Sequence, residues 1–191
     1  MTTHYIDITL LPDPEFSQAH LLGALVSKLH RALVRHGAGD IGVSFPKHVD
    51  APPSRRTLGT VLRLHGTPAA LDQLMTQAWL KGMHDHVQIA DTRLVPADAQ
   101  HRIVRRRQFK TSAERLRRRR MRRKGETAEQ ASAIIPDSVQ REPSLPYAQL
   151  RSISTSQPFC LFVEHGALQP TIVGGRFNTY GLSLGATIPW F

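Results

Sequence analysis

The sequence predicts an α+β protein: an N-terminal βαββαβ unit over residues 1–97, then a smaller C-terminal α/β domain over residues 98–191 that carries an arginine-rich helix. Three observations predict it. Apolar residues in the first half switch repeatedly between period two and period three to four. The excess positive charge is confined to one block in mid-chain. Beyond that block, Ser, Thr, Gly and aromatics surround short apolar runs.

Residues 4–11 alternate Ile6, Ile8 and Leu10 with Tyr5, Asp7 and Thr9, a half-buried strand that Pro12 and Pro14 terminate. From 17 to 36, Leu22, Leu25, Val26, Leu29, Ala32 and Leu33 recur at three and four, and Gly37 supplies a stop, so this is a long amphipathic helix. Residues 41–45 and 60–65 read as the second and third strands. Thr67 is a cap with proline at the first helical position, opening a helix through Leu71, Leu74, Met75 and Trp79. Residues 86–95 close the set as a fourth strand. This order is the ferredoxin-like one, and residues 60–65 lack the basic-Gly-aromatic run by which such sheets stack RNA bases. Residues 96–99 form a hinge.

In the second half an extended stretch, 101–110, leads into a helix over 111–124 with Thr111 and Glu114 as a capping box and Gly125 as its end. A short helix follows from Thr127, capped with Gln130, to Ile135. From about Tyr147 the chain reads as strands and loops.

With 25 Lys+Arg against 15 Asp+Glu, the 191-residue chain carries a net charge of +10, which excludes an ordinary acidic enzyme and favours a polyanionic partner. Residues 98–124 alone hold 13 basic and 2 acidic residues, and the flanks are close to neutral. The single cysteine, Cys160, forbids an intrachain disulfide and any multi-thiolate metal site. With no secretory pattern at the start and no apolar run long enough to span a bilayer, the expected setting is cytoplasmic, without a membrane partner.

On a helix, Arg115, Arg118, Arg119 and Arg122 share one face, and Arg117, Arg120 and Arg123 flank it. The block has 11 Arg to 2 Lys, and arginine's fork suits bidentate contact with phosphate and guanine. Arg106 and Gln108, two apart in the extended stretch, share a face from which they could read adjacent bases. Side chains do not normally enter the major groove of A-form RNA, so such a helix fits a short hairpin better than a long duplex. For chemistry, His30 sits at the margin of the first helix's apolar stripe, and His20, His36, His48 and His65 read as surface or edge positions. His84, Asp85 and His86 lack further spaced ligands and make a weak metal signal. Ser152, Ser154 and Thr155 offer hydroxyls before Phe159, a stacking aromatic. Residues 174–181 set Tyr180 among glycines.

Four of these segments, KLHRAL around His30, RRRQ with the helix ERLRRRRMRR, LRSISTSQPF, and GGRFNTYGLS with a terminal PWF, resemble the CRISPR repeat-processing endoribonucleases of type I-F systems, in order and over essentially the whole chain. The resemblance implies an enzyme that binds the repeat hairpin of precursor CRISPR RNA, cuts at the base of its stem and stays on the product as a subunit of the interference complex. By motif it implies His30 and Ser152 as catalytic and Tyr180 in the active site, and Arg106 and Gln108 as base readers. Arg115, Arg118, Arg119, Arg122 and Arg123 would form the groove helix, with Phe159 at the base of the stem. Ile153 and Arg107 depart from the expected pattern. The implied reaction is attack by a ribose 2′-hydroxyl on the adjacent phosphate, with neither metal nor small-molecule cofactor, for which a histidine is a suitable base. The alternative is a non-catalytic hairpin-binding scaffold, which needs the arginine helix but neither His30 nor Ser152.

Overall fold

A computed structural model describes the chain apart from residues 1, 51–55, 110–112, 138–143 and 153–154. Strand β1, His4–Leu10, buries Ile6, Ile8 and Leu10 as its alternation predicts. Helix α1, Gln18–His36, begins where the Ser17 side chain accepts the His20 N–H, 3.3 Å, and ends where Gly37 turns left-handed at φ 71°. Strands β2, Gly42–Ser44, and β3, Val61–Gly66, follow, then helix α2, Pro68–Met75, under its Thr67 cap, and strand β4, Val87–Ile89. The sheet order is β2-β3-β1-β4 and every pair is antiparallel. The chain is thus mixed α/β with antiparallel sheets.

Two elements differ from expectation. The fourth strand, expected as one run over 86–95, is preceded by a 3₁₀ turn, His84–His86, and broken in two, β4 and then β5, Arg93–Leu94. Both halves pair with β1, but Ile8 faces Ile89 while Tyr5 faces Arg93, so one extra residue is taken up between them. The interruption is a bulge that shifts the register. Helix α2 stops at Met75 rather than near Trp79, because Ala78 adopts a positive φ of 50°. Trp79 is still buried, as part of the turn.

The histidines expected at surfaces are the larger correction. Strand β3 is covered on both faces: Leu62 and Leu64 alternate with Arg63 and His65, and all four are buried. Arg63 makes two bonds to the Asp7 carboxylate, 2.6 and 2.9 Å, and lies over the rings of Tyr5 and Phe191. His65 is fully buried with Nε2 against the Ser44 hydroxyl, 2.8 Å. Burial holds its pKa down to about 3. The sequence reads His65 as an edge position because nothing near it in the chain announces that the C-terminal residues cover this face.

The second half adds β6, Gln100–Arg102, paired with β10, Ile188–Trp190. It also adds a three-stranded antiparallel sheet in the order β7-β9-β8, with β7 at Val104–Arg107, β8 at Tyr147–Arg151 and β9 at Pro158–His165. Leu150, Leu161, Val163 and Ile188 join Leu22, Leu25 and Leu29 in one core. The compact units are therefore Met1–Arg107 with Leu145–Phe191, and separately Gln108–Ser144, whereas the charge pattern suggested a division at 97 and 98. In the second unit, α3, Ala113–Lys124, ends at Gly125, φ 65°. Helix α4, Ala128–Ile134, starts with the Thr127–Gln130 capping box. Thr111, the expected cap of α3, lies outside the described residues.

Helix α1 packs on β8 through Gly23, where a Cβ would stand 2.4 Å from the Gln149 carbonyl oxygen. Backbone cannot yield as a flexible side chain can, so Gly23→Ala is expected to destabilise the protein by about 1–3 kcal/mol, measured by urea unfolding.

The His48 and His165 rings stack at 3.6 Å with Trp190 edge-on to both. Burial, then the neighbouring His48 and Arg102, push His165 down to about 3, and burial lowers His48 as well. Below the usual histidine pKa near 6.5 the unfolded chain binds protons that the folded chain refuses, so stability falls with falling pH and is flat above neutrality. Urea midpoints are expected to drop steadily between about pH 6.5 and about pH 4. His165→Phe should flatten part of that slope.

Candidate active site and basic helix

Gly23, Ser27 and His30 stand at i, i+4 and i+7 on α1 and so lie on one face of it. Gly23 brings that face against β8, whose chain runs on directly into Ser152. The contact that seats the helix therefore also sets His30 and Ser152 on the same cleft, although more than a hundred residues separate them in sequence. The cleft has a volume of about 470 Å³ and also receives Arg106, Phe159 and Tyr180.

His30 Nδ1 lies 2.8 Å from the Thr179 carbonyl oxygen. A carbonyl only accepts, so Nδ1 carries a hydrogen and donates it, and in the neutral ring the lone pair is then on Nε2. The Tyr180 ring stacks on the imidazole at 4.1 Å and 7°. Arg106 lies between aromatics, its guanidinium carbon 5.6 Å from the Tyr180 centroid and 5.9 Å from that of Phe159. Its neighbours Arg105 and Arg107 point to the other face of β7 and pair with Glu164, at 2.7 and 3.2 Å. The Ser152 hydroxyl accepts the Thr155 N–H at 3.3 Å, and the Ser152 N–H donates to the Gln157 carbonyl at 2.9 Å.

Two cleft residues escaped sequence reasoning. Arg31 and Arg151 line the cleft beside His30 and Ser152, and among the described residues no carboxylate lines it. Their only signal was adjacency in sequence to those two residues. With Arg106 they make the cleft cationic, suited to a phosphate. Of the other expected site residues, Thr155 is exposed, Gln108 falls beyond the end of β7 in the second unit, and Ser154 and Ile153 lie outside the described residues. His86 is engaged by a hydrogen bond between its Nδ1 and the Asp13 carboxylate, 2.9 Å, and among the described residues no three His, Cys, Asp or Glu gather as metal ligands.

In the second unit the arginines of α3 divide by role. Arg120 is held by both oxygens of Glu126, 2.5 and 2.9 Å. Arg117 reaches the Ile135 carbonyl, 2.8 Å, and Asp137, 2.9 Å. Arg115, Arg118, Arg119, Arg122 and Arg123 are exposed, with Arg118 paired to Glu114 one turn back. Arg119, Arg122 and Arg123 meet no acid among the described residues. The exposed set is the expected binding face, and the flanking pair braces α3 against α4.

A cationic cleft and an exposed arginine face place the chain in the class of nucleic-acid-binding proteins. It belongs to the Cas_Csy4 family of CRISPR-associated proteins, whose model matches residues 5–191. The chain is 48% identical over 188 residues to the CRISPR-associated endonuclease Cas6/Csy4 of Pseudomonas aeruginosa (strain UCBPP-PA14), covering 98% of this chain and 99% of that protein. It is 44% identical, with the same coverage, to the CRISPR-associated endonuclease Cas6/Csy4 of Escherichia coli (strain UTI89 / UPEC).

The division of arginines makes opposite demands on two neighbouring positions. Arg120→Ala is expected to cost the α3–α4 pair about 1–2 kcal/mol, read as faster hydrogen exchange in both helices. Arg119→Ala should leave exchange unchanged.

Proposed function

We propose that the protein is a metal-independent endoribonuclease that binds the repeat hairpin of precursor CRISPR RNA and cleaves at the base of its stem. Family membership supports the substrate class. The observation that carries the chemistry is His30, whose Nδ1 is spent on a carbonyl and whose Nε2 is left able to accept a proton in a cationic cleft.

In this reading Nε2 takes the proton of the ribose 2′-hydroxyl. The 2′-oxygen forms its bond to phosphorus as the bond to the 5′-oxygen breaks, and the 5′-oxygen gains a proton from water. The products are a 2′,3′-cyclic phosphate and a 5′-hydroxyl, and His30 then releases its proton. Ser152 holds the 2′-hydroxyl in line, and Tyr180 fixes the imidazole plane by stacking. Arg31 and Arg151 face the phosphates on either side of the cut, where a preorganised positive charge favours the more highly charged transition state.

The ferredoxin-like N-terminal unit supplies His30. The exposed face of α3 enters the groove of the stem, with Arg106 and Gln108 reading bases near its foot. Phe159 stacks on the last pair, and Ser154 and Thr155 contact the backbone beside it. The protein then stays on the mature CRISPR RNA as a subunit of a type I-F interference complex.

Incubation of a repeat hairpin with the protein in EDTA is expected to give cleavage that a single 2′-deoxy substitution at the scissile nucleotide abolishes. An intact cognate hairpin under every condition would leave only a non-catalytic scaffold. His30→Ala should lower the single-turnover rate by about 10²–10⁴-fold with little change in RNA affinity. Arg119→Ala should weaken binding and reduce the slope of log K against log salt by about 1.

A further inference from the structure

The tautomer of His30 depends on one carbonyl, and that carbonyl belongs to a loop. Residues 178–182 are closed on themselves by Asn178. Its side-chain Oδ1 accepts the N–H of Tyr180, 2.8 Å, and the N–H of Leu182, 3.1 Å. Its backbone N–H donates to the Leu182 carbonyl, 2.8 Å, and its own carbonyl accepts the Gly181 N–H, also 2.8 Å. The far side of the loop is pinned to β2. There Gly181, at φ 71°, presents its carbonyl to the Val43 N–H, 2.7 Å, and a Cβ at Gly181 would stand 2.3 Å from Val43 Cγ2. Between these two anchors the loop holds up two groups at once, the Thr179 carbonyl on Nδ1 and the Tyr180 ring on the face of the imidazole.

We propose that Asn178 is a positioning residue for His30: by holding the 178–182 loop it keeps the Thr179 carbonyl on Nδ1 and so keeps Nε2 unprotonated. Asn178 does not line the cleft, and it acts only through the loop. Without its Oδ1 the Tyr180 and Leu182 N–H groups turn to solvent and the stretch from 179 to 180 loses its fixed orientation. Nδ1 then has no standing acceptor, and the hydrogen can sit on either nitrogen. Each molecule with the hydrogen on Nε2 lacks a base where the 2′-hydroxyl arrives. The catalytic consequence rests on the reaction proposed above. The tautomer does not.

The test pairs Asn178→Ala with Asn178→Asp, because aspartate keeps an oxygen at the same place and alanine removes it. Histidine is labelled with ¹⁵N, and the two ring-nitrogen shifts of His30 are read above neutral pH beside single-turnover cleavage of the repeat hairpin and its affinity. In wild type the Nδ1–H pattern is expected. Asn178→Ala should move the shifts toward the Nε2–H pattern and slow cleavage by about 10- to 100-fold, with affinity changed by no more than about threefold. Asn178→Asp should restore both the shifts and most of the rate. Should the alanine protein be unfolded by circular dichroism, Asn178→Ser, whose shorter hydroxyl can accept one N–H, is expected between wild type and loss on both readouts.

Wild-type ring shifts in the alanine protein overturn the proposal, as does an aspartate protein that behaves like alanine or a serine protein with unchanged shifts. If wild type fails to cut RNA while the shifts still follow the variant series, the cleavage reading fails and the positioning role of Asn178 stands.

Discussion

Helix α1 can serve two sheets only because it lacks a side chain at one point. At Gly23 the helix backbone comes so close to β8 that a methyl group would overlap the Gln149 carbonyl. The apolar stripe of α1 is satisfied by β1 and β3 on one side and by Leu150 and its neighbours on another, so N-terminal and C-terminal residues share one core. Two turns further along the same face stands His30, and one residue past the end of β8 stands Ser152. The packing that stabilises the unit and the convergence that makes the cleft are one contact.

The histidines show how environment separates residues of one type. His65 and His165 are held neutral by burial, far below the ordinary range, and they act as ring-shaped packing groups that protonation would expel. His48, stacked on His165, is pulled the same way by burial and then by the nearby Arg102. His30 is only half-buried, with one nitrogen committed to a carbonyl and the other left for the cleft. Sequence periodicity placed His30 at the edge of an apolar stripe, which is where it lies. For His65 and His48 the same method failed, because their surroundings come from distant residues: His48 packs on His165 and Trp190, and Gly42, the cross-strand partner of His65, faces Phe177 and Ile188.

The arginines divide on the same principle. A run such as ERLRRRRMRR looks uniform, and helical spacing separates a face from its flanks. The acids at Glu126 and Asp137, which turn Arg117 and Arg120 inward to brace α3 against α4, come after the helix and give the flanks a structural role. The side left outward-facing is the one exposed to meet a polyanion, and Arg119, Arg122 and Arg123, which meet no acid among the described residues, keep their charge available at long range.

Much of this was legible in the amino-acid sequence. Period-two and period-three-to-four patterns, the Ser17, Thr67 and Thr127 caps, and the stops at Gly37 and Gly125 are local signals governed by backbone hydrogen bonding, so they hold wherever the chain is read. The arginine block and the resemblance carried by four short segments pointed to the family on their own. Tertiary structure decided whatever depends on contacts between distant residues. The bulge that splits the fourth strand, the second cover over β3, the return of residues 145–191 into the first unit, the entry of Arg31 and Arg151 into the cleft, and the hold of Thr179 on His30 all bring together groups that no local pattern links. The identities of the side chains proposed to react are thus written in the sequence, whereas the carbonyl that meets the His30 ring comes from a loop 149 residues further along the chain.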